Sequence, residues 1–290
     1  MNTKSLIFTV SFAVLLAISA KAQEQRFKIS LAEWSLHRTI QKGEMSNLDF
    51  PRIAKTVYGL DAVEYVSSFF AGKSENMEYL TKLKDECTKY GVKSLLIMVD
   101  GEGALADTSL KVRTKAIENH YKWVKAAQFL GCHSIRVNAY GKGTREQVQK
   151  SAIDALSKLA DYAATYNINV IVENHGGLSS DGKWLSEIMK TVNKPNCGTL
   201  PDLGNFYEYD RYQGVADMMP FAKGVSGKTY NFDSEGLETK VDYVKMMKII
   251  ADSGFSGYID VEYEGTVLSE DEGIKASIAL LKKVIAPYNK

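Results

Sequence analysis

Eight short apolar runs, each followed by a stretch with helical spacing, constrain this chain more than any single residue does. The runs span 27–31, 62–66, 94–99, 134–138, 169–173, 197–202, 223–228 and 257–263. Most are enriched in Val and Ile, the pattern of parallel strands covered on both faces. Between them, 76–90 keeps Leu80, Leu83 and Cys87 on one helical face, and 144–166 does the same with Val148, Ala152, Leu156 and Leu159. Val241, Val244, Met247 and Ile250 form a third such face. Gly91, Gly131 and Gly254 each follow a helical stretch, where a left-handed C-cap favours glycine. Ser269 marks the start of the last helix: its hydroxyl caps free amides, Glu272 completes a capping box, and Glu270 and Asp271 suit the positive end of the helix dipole.

Strands alternating with helices over about 265 residues predict an α/β fold, a single (β/α)8 TIM barrel with a parallel eight-stranded sheet inside and helices outside. An open doubly wound sheet is the competing arrangement, but no G-x-G-x-x-G or Walker loop follows any run. No linker, low-complexity tract or repeat of another period divides the chain, so residues 23–290 read as one domain.

Residues 1–22 are set apart. Lys4 precedes an apolar run at 6–19, and Ala20-Lys21-Ala22 matches the small-x-small cleavage pattern, which predicts a secretory signal peptide cut after Ala22. The run is shorter than the ~20 apolar residues of a spanning helix, so no stable membrane insertion is expected. Export to the periplasm or the extracellular space follows. Cleavage removes Lys4 and Lys21 from 36 basic residues set against 35 acidic ones, leaving a net charge of −1. That balance offers no electrostatic footprint for nucleic acid. Cys87, Cys132 and Cys197 are odd in number and far apart, so buried free thiols are expected, with one chance pair left open in an oxidising compartment.

In such a barrel the active site lies at the C-terminal ends of the strands, so the polar residues that end the apolar runs carry the chemistry. In order they are Trp34 and His37, Glu64, Asp100, Arg136 with Asn138, Glu173 with His175, Asp202 with Asn205, Lys228, and Glu262. Glu173, Asp202 and Glu262 close the fifth, sixth and eighth runs, which converge on one opening. Three carboxylates meeting there cannot all stay ionised without a compensating cation. A divalent ion supplies it: Mn2+ or Mg2+ suits an oxygen-rich set, whereas Zn2+ or Co2+ prefers more nitrogen, which His175 would provide. Structural acids paired with barrel-end Lys or Arg are the alternative reading. Glu64 and Asp100 are read as hydrogen-bonding neighbours of the strand ends, and Lys228 fits a salt bridge to Glu262 or Asp202 as well as it fits catalysis.

The segments VENHGG at 172–177, PDLGNF at 201–206 and GYIDVEYEG at 257–265, one per expected strand, resemble the xylose isomerase-like barrels. That family groups sugar phosphate isomerases and epimerases with family 2 apurinic endonucleases, and the resemblance spans the chain beyond the leader. It implies a metal held by Glu, Asp, His and Glu on strands five to eight, with Glu173, Asp202 and Glu262 matching the first, second and last. The third position departs: the usual His-x-Lys reads Ser226-Gly227-Lys228. The resemblance further implies that Glu173 and Glu262 act as an acid/base pair that removes the proton α to a carbonyl. Lys228 and Arg136 would then stabilise the enediolate. His37, His175 and Asn205 would bind substrate, and Trp34 would stack on a sugar face.

The expected function is a metal-dependent sugar isomerase or epimerase acting on a small carbohydrate. Export argues against a phosphate ester, since sugar phosphates are mainly cytoplasmic. A lyase that cleaves 3-keto-glycosides by β-elimination begins with the same proton removal and is the second expectation. A non-catalytic sugar-binding protein, prompted by Ser226, is the third. Endonuclease action is argued against by the four histidines, His37, His120, His133 and His175, too few for a trinuclear zinc site. No motif names the sugar or the oligomeric state.

Overall fold

The computed structural model describes residues 25–289, so the expected leader lies outside the described residues. Eight strands, β1 (Phe27–Ala32), β2 (Ala62–Val66), β3 (Lys93–Met98), β4 (Ser134–Val137), β5 (Asn169–Glu173), β6 (Cys197–Leu200), β7 (Val225–Thr229) and β8 (Gly257–Tyr263), lie in one sheet. Their order is β6-β5-β4-β3-β2-β1-β8-β7, and every ladder is parallel. The ends of that order meet through two isolated parallel bridges, Thr199↔Ala222 and Asp202↔Ser226, which close the sheet into a TIM barrel.

This seam has a local cause. Pro201 has no N–H to donate to a ladder; its carbonyl only accepts, from Ser226 N at 2.9 Å, and Ser226 O accepts from Leu203 N at 3.0 Å. Strand β6 therefore stops at Leu200, two residues short of the run read from sequence, and Asp202 sits just past its end. Strand β7 starts at Val225 rather than at 223, and ahead of it Lys223 N bonds Thr199 O across the seam.

Outside the sheet, the helices Met77–Tyr90 and Arg145–Ala164 bury the expected faces, with Leu80, Leu83, Cys87, Val148, Ala152, Leu156 and Leu159 inside. Each fully buried aliphatic side chain of this kind contributes about 1.5–3 kcal/mol. Ser269 and Glu272 form the capping box of the last helix, Glu270–Ile285. Gly91 and Gly131 adopt φ of 65° and 81°, which a side chain would strain. One face is shifted from expectation. In Tyr243–Asp252 the buried residues are Tyr243, Met246, Met247, Ile250 and Ala251, while Val244 is exposed. The Asp242 cap starts the helix so that Tyr243, not Val244, begins the i, i+3, i+4, i+7 row.

The barrel interior is split. Ala32, Val66, Leu96, Met98, Ile171 and Leu200 make an apolar plug on one side. On the other, Ser30, Glu64, Ser226 and Asp260 are buried and hydrogen-bonded to one another. Cys87, Cys132 and Cys197 are buried free thiols. Among the described residues no helix is long and apolar enough to cross a membrane.

Candidate active site

Glu173, the last residue of β5, Asp202 and Glu262, the penultimate residue of β8, are all buried and offer carboxylate oxygens within 4.8 Å of one another. Among the described residues this is the cluster with the spacing of a cation site. Asp202 is placed by the neighbouring loop: Asn174 Oδ1 accepts from Asp202 N at 2.7 Å, and Asn174 Nδ2 donates to Asp202 O at 2.9 Å. The Asp202 Oδ1 atom accepts from Gly204 N at 2.7 Å and Asn205 N at 3.1 Å. Asn205 Nδ2 then bridges the acids, donating to Asp202 Oδ2 at 2.8 Å and Glu173 Oε1 at 3.2 Å.

Two buried cations face these acids. Lys228 Nζ stands 3.0 Å from Asp202 Oδ2, 3.2 Å from Glu262 Oε1 and 3.1 Å from Glu264 Oε1. Burial alone would push its pKa down, but Asp202, Glu262, Glu173 and Glu264 outweigh that and hold the ammonium charged. Arg136, on β4, puts Nε 2.8 Å from Glu173 Oε2. The two atoms are out of line for a hydrogen bond, so this contact is ionic. The same guanidinium donates Nη1 to Asp100 Oδ1 at 2.7 Å.

The three acids respond differently. Burial raises Glu262, but Lys228, the Ser226 hydroxyl and Arg136 bring it below the usual carboxylate range, so it is ionised. Burial keeps Glu173 raised despite Arg136, with the Glu262 charge adding to the shift. Burial lifts Asp202 well above the usual carboxylate range, with Lys228 opposing the shift, the Glu173 and Glu262 charges adding to it, and a hydrogen bond joining it to Glu173.

Beneath the cluster lies a second acid pair. Ser30 Oγ donates to Glu64 Oε1 at 2.7 Å, and Glu64 hydrogen-bonds Asp260. Neither Glu64 Oε2 nor Asp260 Oδ2 has another partner, and the hydrogen bond between the two carboxyls lowers Glu64 and raises Asp260, so Asp260 is the donor. Burial pushes Glu64 up to about 7 and Asp260 well above its ordinary range. Ser226 links this pair to the site: its hydroxyl donates to Glu262 Oε2 at 2.7 Å and stands 3.2 Å from Asp260 Oδ1.

Above the cluster a cavity of 320 Å³ is walled by Trp34, Val66 and Met98 on apolar surfaces and by Asp100, Arg136, His175 and Glu262 on polar ones. A larger hollow of 660 Å³ opens at the opposite end of the barrel, beside Phe27 and Tyr258. None of the buried titratable groups lines it, so the smaller cavity is the candidate site. Burial and the adjacent Arg136 lower the pKa of His175, so its ring is neutral. Trp34 is held by His37 at 4.7 Å and Phe69 at 5.8 Å, both nearly parallel to it, and its Nε1 donates to Glu264 Oε1 at 2.8 Å.

The structure thus brings Glu173, Asp202, Glu262, Lys228, Arg136 and Asn205 into one contact network and puts Trp34 and His175 on the cavity wall beside it. His37 is elsewhere: it lies against Trp34, with Nδ1 2.7 Å from the Trp34 carbonyl and 3.6 Å from Glu270, off the cavity wall. Asn205 is directed at Glu173 and Asp202 rather than at the cavity. Two acids were undervalued. Asp100 does bond Arg136 and Asn138, as expected of a strand-end acid, but it also lines the cavity. Glu264 completes the ring around Lys228; its signal was its place two residues after Glu262, on the same side of an extended strand.

Glu173, Asp202 and Glu262 could hold a divalent ion, but their oxygens are already engaged by the protein. Each of the six oxygens of Glu173, Asp202 and Glu262 already meets a protein nitrogen or hydroxyl within 3.2 Å. The position expected to supply an imidazole lone pair, Ser226, instead presents a hydroxyl that donates to Glu262.

Residues 51–284 match the family model described as xylose isomerase-like TIM barrel. No curated protein matches the chain in sequence. Among solved structures, the chain is similar to the IOLI protein with a bound zinc atom, at TM-score 0.72 and 18% identity over 90% of this chain and 99% of that one. It is similar to a D-tagatose 3-epimerase-like protein, at TM-score 0.66 and 20% identity over 90% and 98%. It is also similar to 3-keto-D-glucoside 4-epimerase from E. coli, at TM-score 0.68 and 14% identity over 90% and 100%. With the barrel, its closing seam and the strand-end acids in place, the family match over most of the chain is decisive: this chain belongs to the xylose isomerase-like TIM barrel family.

Proposed function

We propose that the protein is an exported sugar isomerase or epimerase that removes the proton α to a carbonyl of a small, unphosphorylated carbohydrate. The observation that carries this reading is the ionised Glu262 on a cavity wall shared with Arg136 and the neutral His175. A carboxylate held ionised beside a fixed guanidinium suits proton removal coupled to growth of negative charge on a carbonyl oxygen. Glu262 takes the proton, Arg136 stabilises the oxyanion, and His175 hydrogen-bonds a hydroxyl. Asp100 reaches the same cavity from the end of β3, where Arg136 and Asn138 hold it ionised and it helps fix the guanidinium.

A volume of 320 Å³ is at the small end of ligand sites (~300–1,000 Å³), which favours a monosaccharide unit. The apolar wall of Trp34, Val66 and Met98 suits the C–H face of a sugar ring. Phosphate is disfavoured because Glu173, Asp202, Glu262, Glu264 and Asp100 outnumber Arg136 and Lys228. The fold shared with a D-tagatose 3-epimerase-like protein and with 3-keto-D-glucoside 4-epimerase supports the sugar reading.

One observation favours a lyase as the second reading. A hollow of 490 Å³ lies among Arg145, Leu178, Tyr207 and Tyr209, on the loops after β5 and β6 at the same barrel end. It would accommodate the aglycone of a keto-glycoside. The test is incubation in D2O with free ketoses and 3-keto-glycosides, followed by NMR. Deuterium entering next to the carbonyl, and lost in Glu262→Gln, supports α-proton chemistry, and aglycone release selects the lyase. Absence of exchange with every sugar, alongside measurable sugar binding, would leave a binding protein.

A further inference from the structure

We infer that Lys228 is the resident cation of this site: its ammonium neutralises the carboxylates that the family's divalent ion would neutralise, and the protein works without a bound metal. The inference concerns how the site is charged and stands whether or not the substrate is a sugar.

Three independent features support it. The first is position. Lys228 Nζ lies within 3.2 Å of Asp202 and Glu262, two of the three cluster acids, and its third contact goes to Glu264. Its ammonium donates to Glu264 at 3.1 Å and makes ion contacts with the Asp202 and Glu262 carboxyls. The third cluster acid, Glu173, has its own cation in Arg136.

The second is the space made for the lysine stem. A Cβ on Gly204 would lie 3.0 Å from both Cγ and Cδ of Lys228. The backbone after Asp202 therefore runs close along the lysine stem, and a side chain at Gly204 would push Lys228 or the equally close Tyr230 aside. Asp202, Gly204 and Asn205 belong to one loop, so the acid and the channel for its counter-ion are built together.

The third is the sense of the hydrogen bonds. A metal ligand offers a lone pair; Ser226 instead donates a proton to Glu262 at 2.7 Å, and Asn205 donates to both Asp202 and Glu173. Donors aimed at carboxylates do the work of a cation and would have to turn away for one to bind. The exchange also changes what the site offers a substrate. A divalent ion chelates two substrate oxygens; the Lys228 donors are all directed at acids, leaving Arg136 and His175 to hold substrate oxygen.

The test is metal content and thermal melting of the purified protein after growth with added Mn2+, Zn2+ and Co2+. Wild type is expected to carry far less than one ion per chain after desalting, and its melting temperature is expected to ignore added Mn2+ or Zn2+. Lys228→Met, which leaves the acids without their ammonium, is expected to melt lower and to regain stability when either ion is added. Ser226→His/Lys228→Met is expected to bind Zn2+ stoichiometrically. One tightly held divalent ion per wild-type chain would overturn the inference, as would an equal metal-induced shift in wild type and Lys228→Met. Should Lys228→Met fail to fold, the wild-type metal content decides alone.

Discussion

Lys228 and Asp202 form an ion pair, 3.0 Å from Nζ to Oδ2, that spans the weakest joint in the barrel. Asp202 follows β6 and Lys228 lies on β7, the two strands that share only isolated bridges where all other neighbours share ladders. Both side chains are almost wholly removed from solvent, at 2% and 0% exposure. The contact that sets the charge of the candidate site is therefore also a tie between the ends of the sheet. Removing one partner of a buried pair costs about 3–5 kcal/mol because the other is left uncompensated.

Gly204→Ala tests whether the loop is shaped around that lysine. Its new Cβ would crowd Lys228 Cγ and Cδ, and overpacking of this sort costs about 1–3 kcal/mol. The same change in a Lys228→Met background should be less damaging, since a thioether stem adapts more readily. Urea unfolding of the four proteins in a double-mutant cycle gives the coupling. Strict additivity would mean that Gly204 is there for Tyr230, whose Oη is also 3.0 Å from the added atom.

Glu262→Gln should lower deuterium exchange by about 10²–10⁴-fold, the usual worth of a general base. Asp100→Asn should behave differently. It removes the acid that holds Arg136 Nη1 but leaves Glu262 in place, so exchange should fall less than in Glu262→Gln. Measuring exchange by NMR separates the two acids, and equal losses would give Asp100 a part in proton removal itself.

The barrel was legible because its periodicity is redundant: a single strand such as β5, read as 169–173, is found at Asn169–Glu173. The seam was not. Pro201 within 197–202 was a local signal that the ladder would stop before Asp202, but which strand closes against that end depends on the whole barrel. The acids at strand ends were readable from position alone. Their partners were not: Lys228 could serve a salt bridge or catalysis on sequence grounds, and only the three-dimensional ring of Asp202, Glu262 and Glu264 explains why its charge survives burial. His37 fails as a cavity residue for a related reason, since the turn after β1 lays its ring against Trp34.

The raised pKa of the buried Glu64 predicts a pH-dependent stability of definite sign. Unfolded, Glu64 ionises near 4.5; folded, it keeps its proton up to about 7. Between those values the native state holds a proton that the unfolded chain has released, so stability falls as pH rises. The contribution is complete below pH 4.5 and lost as pH passes 7, amounting to about 3 kcal/mol at most. Glu64→Gln cannot ionise but keeps an acceptor for Ser30 and a donor for Asp260, so urea unfolding between pH 5 and pH 8 should show a flatter slope than wild type. An unchanged slope would assign the pH dependence to another group, with Asp260 the nearest.

Arg136→Lys is the substitution that separates charge from shape. The guanidinium spans two acids, with Nε on Glu173 and Nη1 on Asp100, and a lysine ammonium on a single stem cannot hold both places. Charge is retained, so the loss of stability should be smaller than the ~3–5 kcal/mol expected of Arg136→Met. Catalysis should not be spared in the same way. If the oxyanion is stabilised by a guanidinium fixed between Glu173 and Asp100, Arg136→Lys loses kcat more than it raises KM, since the missing interaction belongs to the transition state. A variant with full kcat and only a weakened KM would show that Arg136 holds the ground-state sugar and that the developing charge is stabilised by another group on the cavity wall.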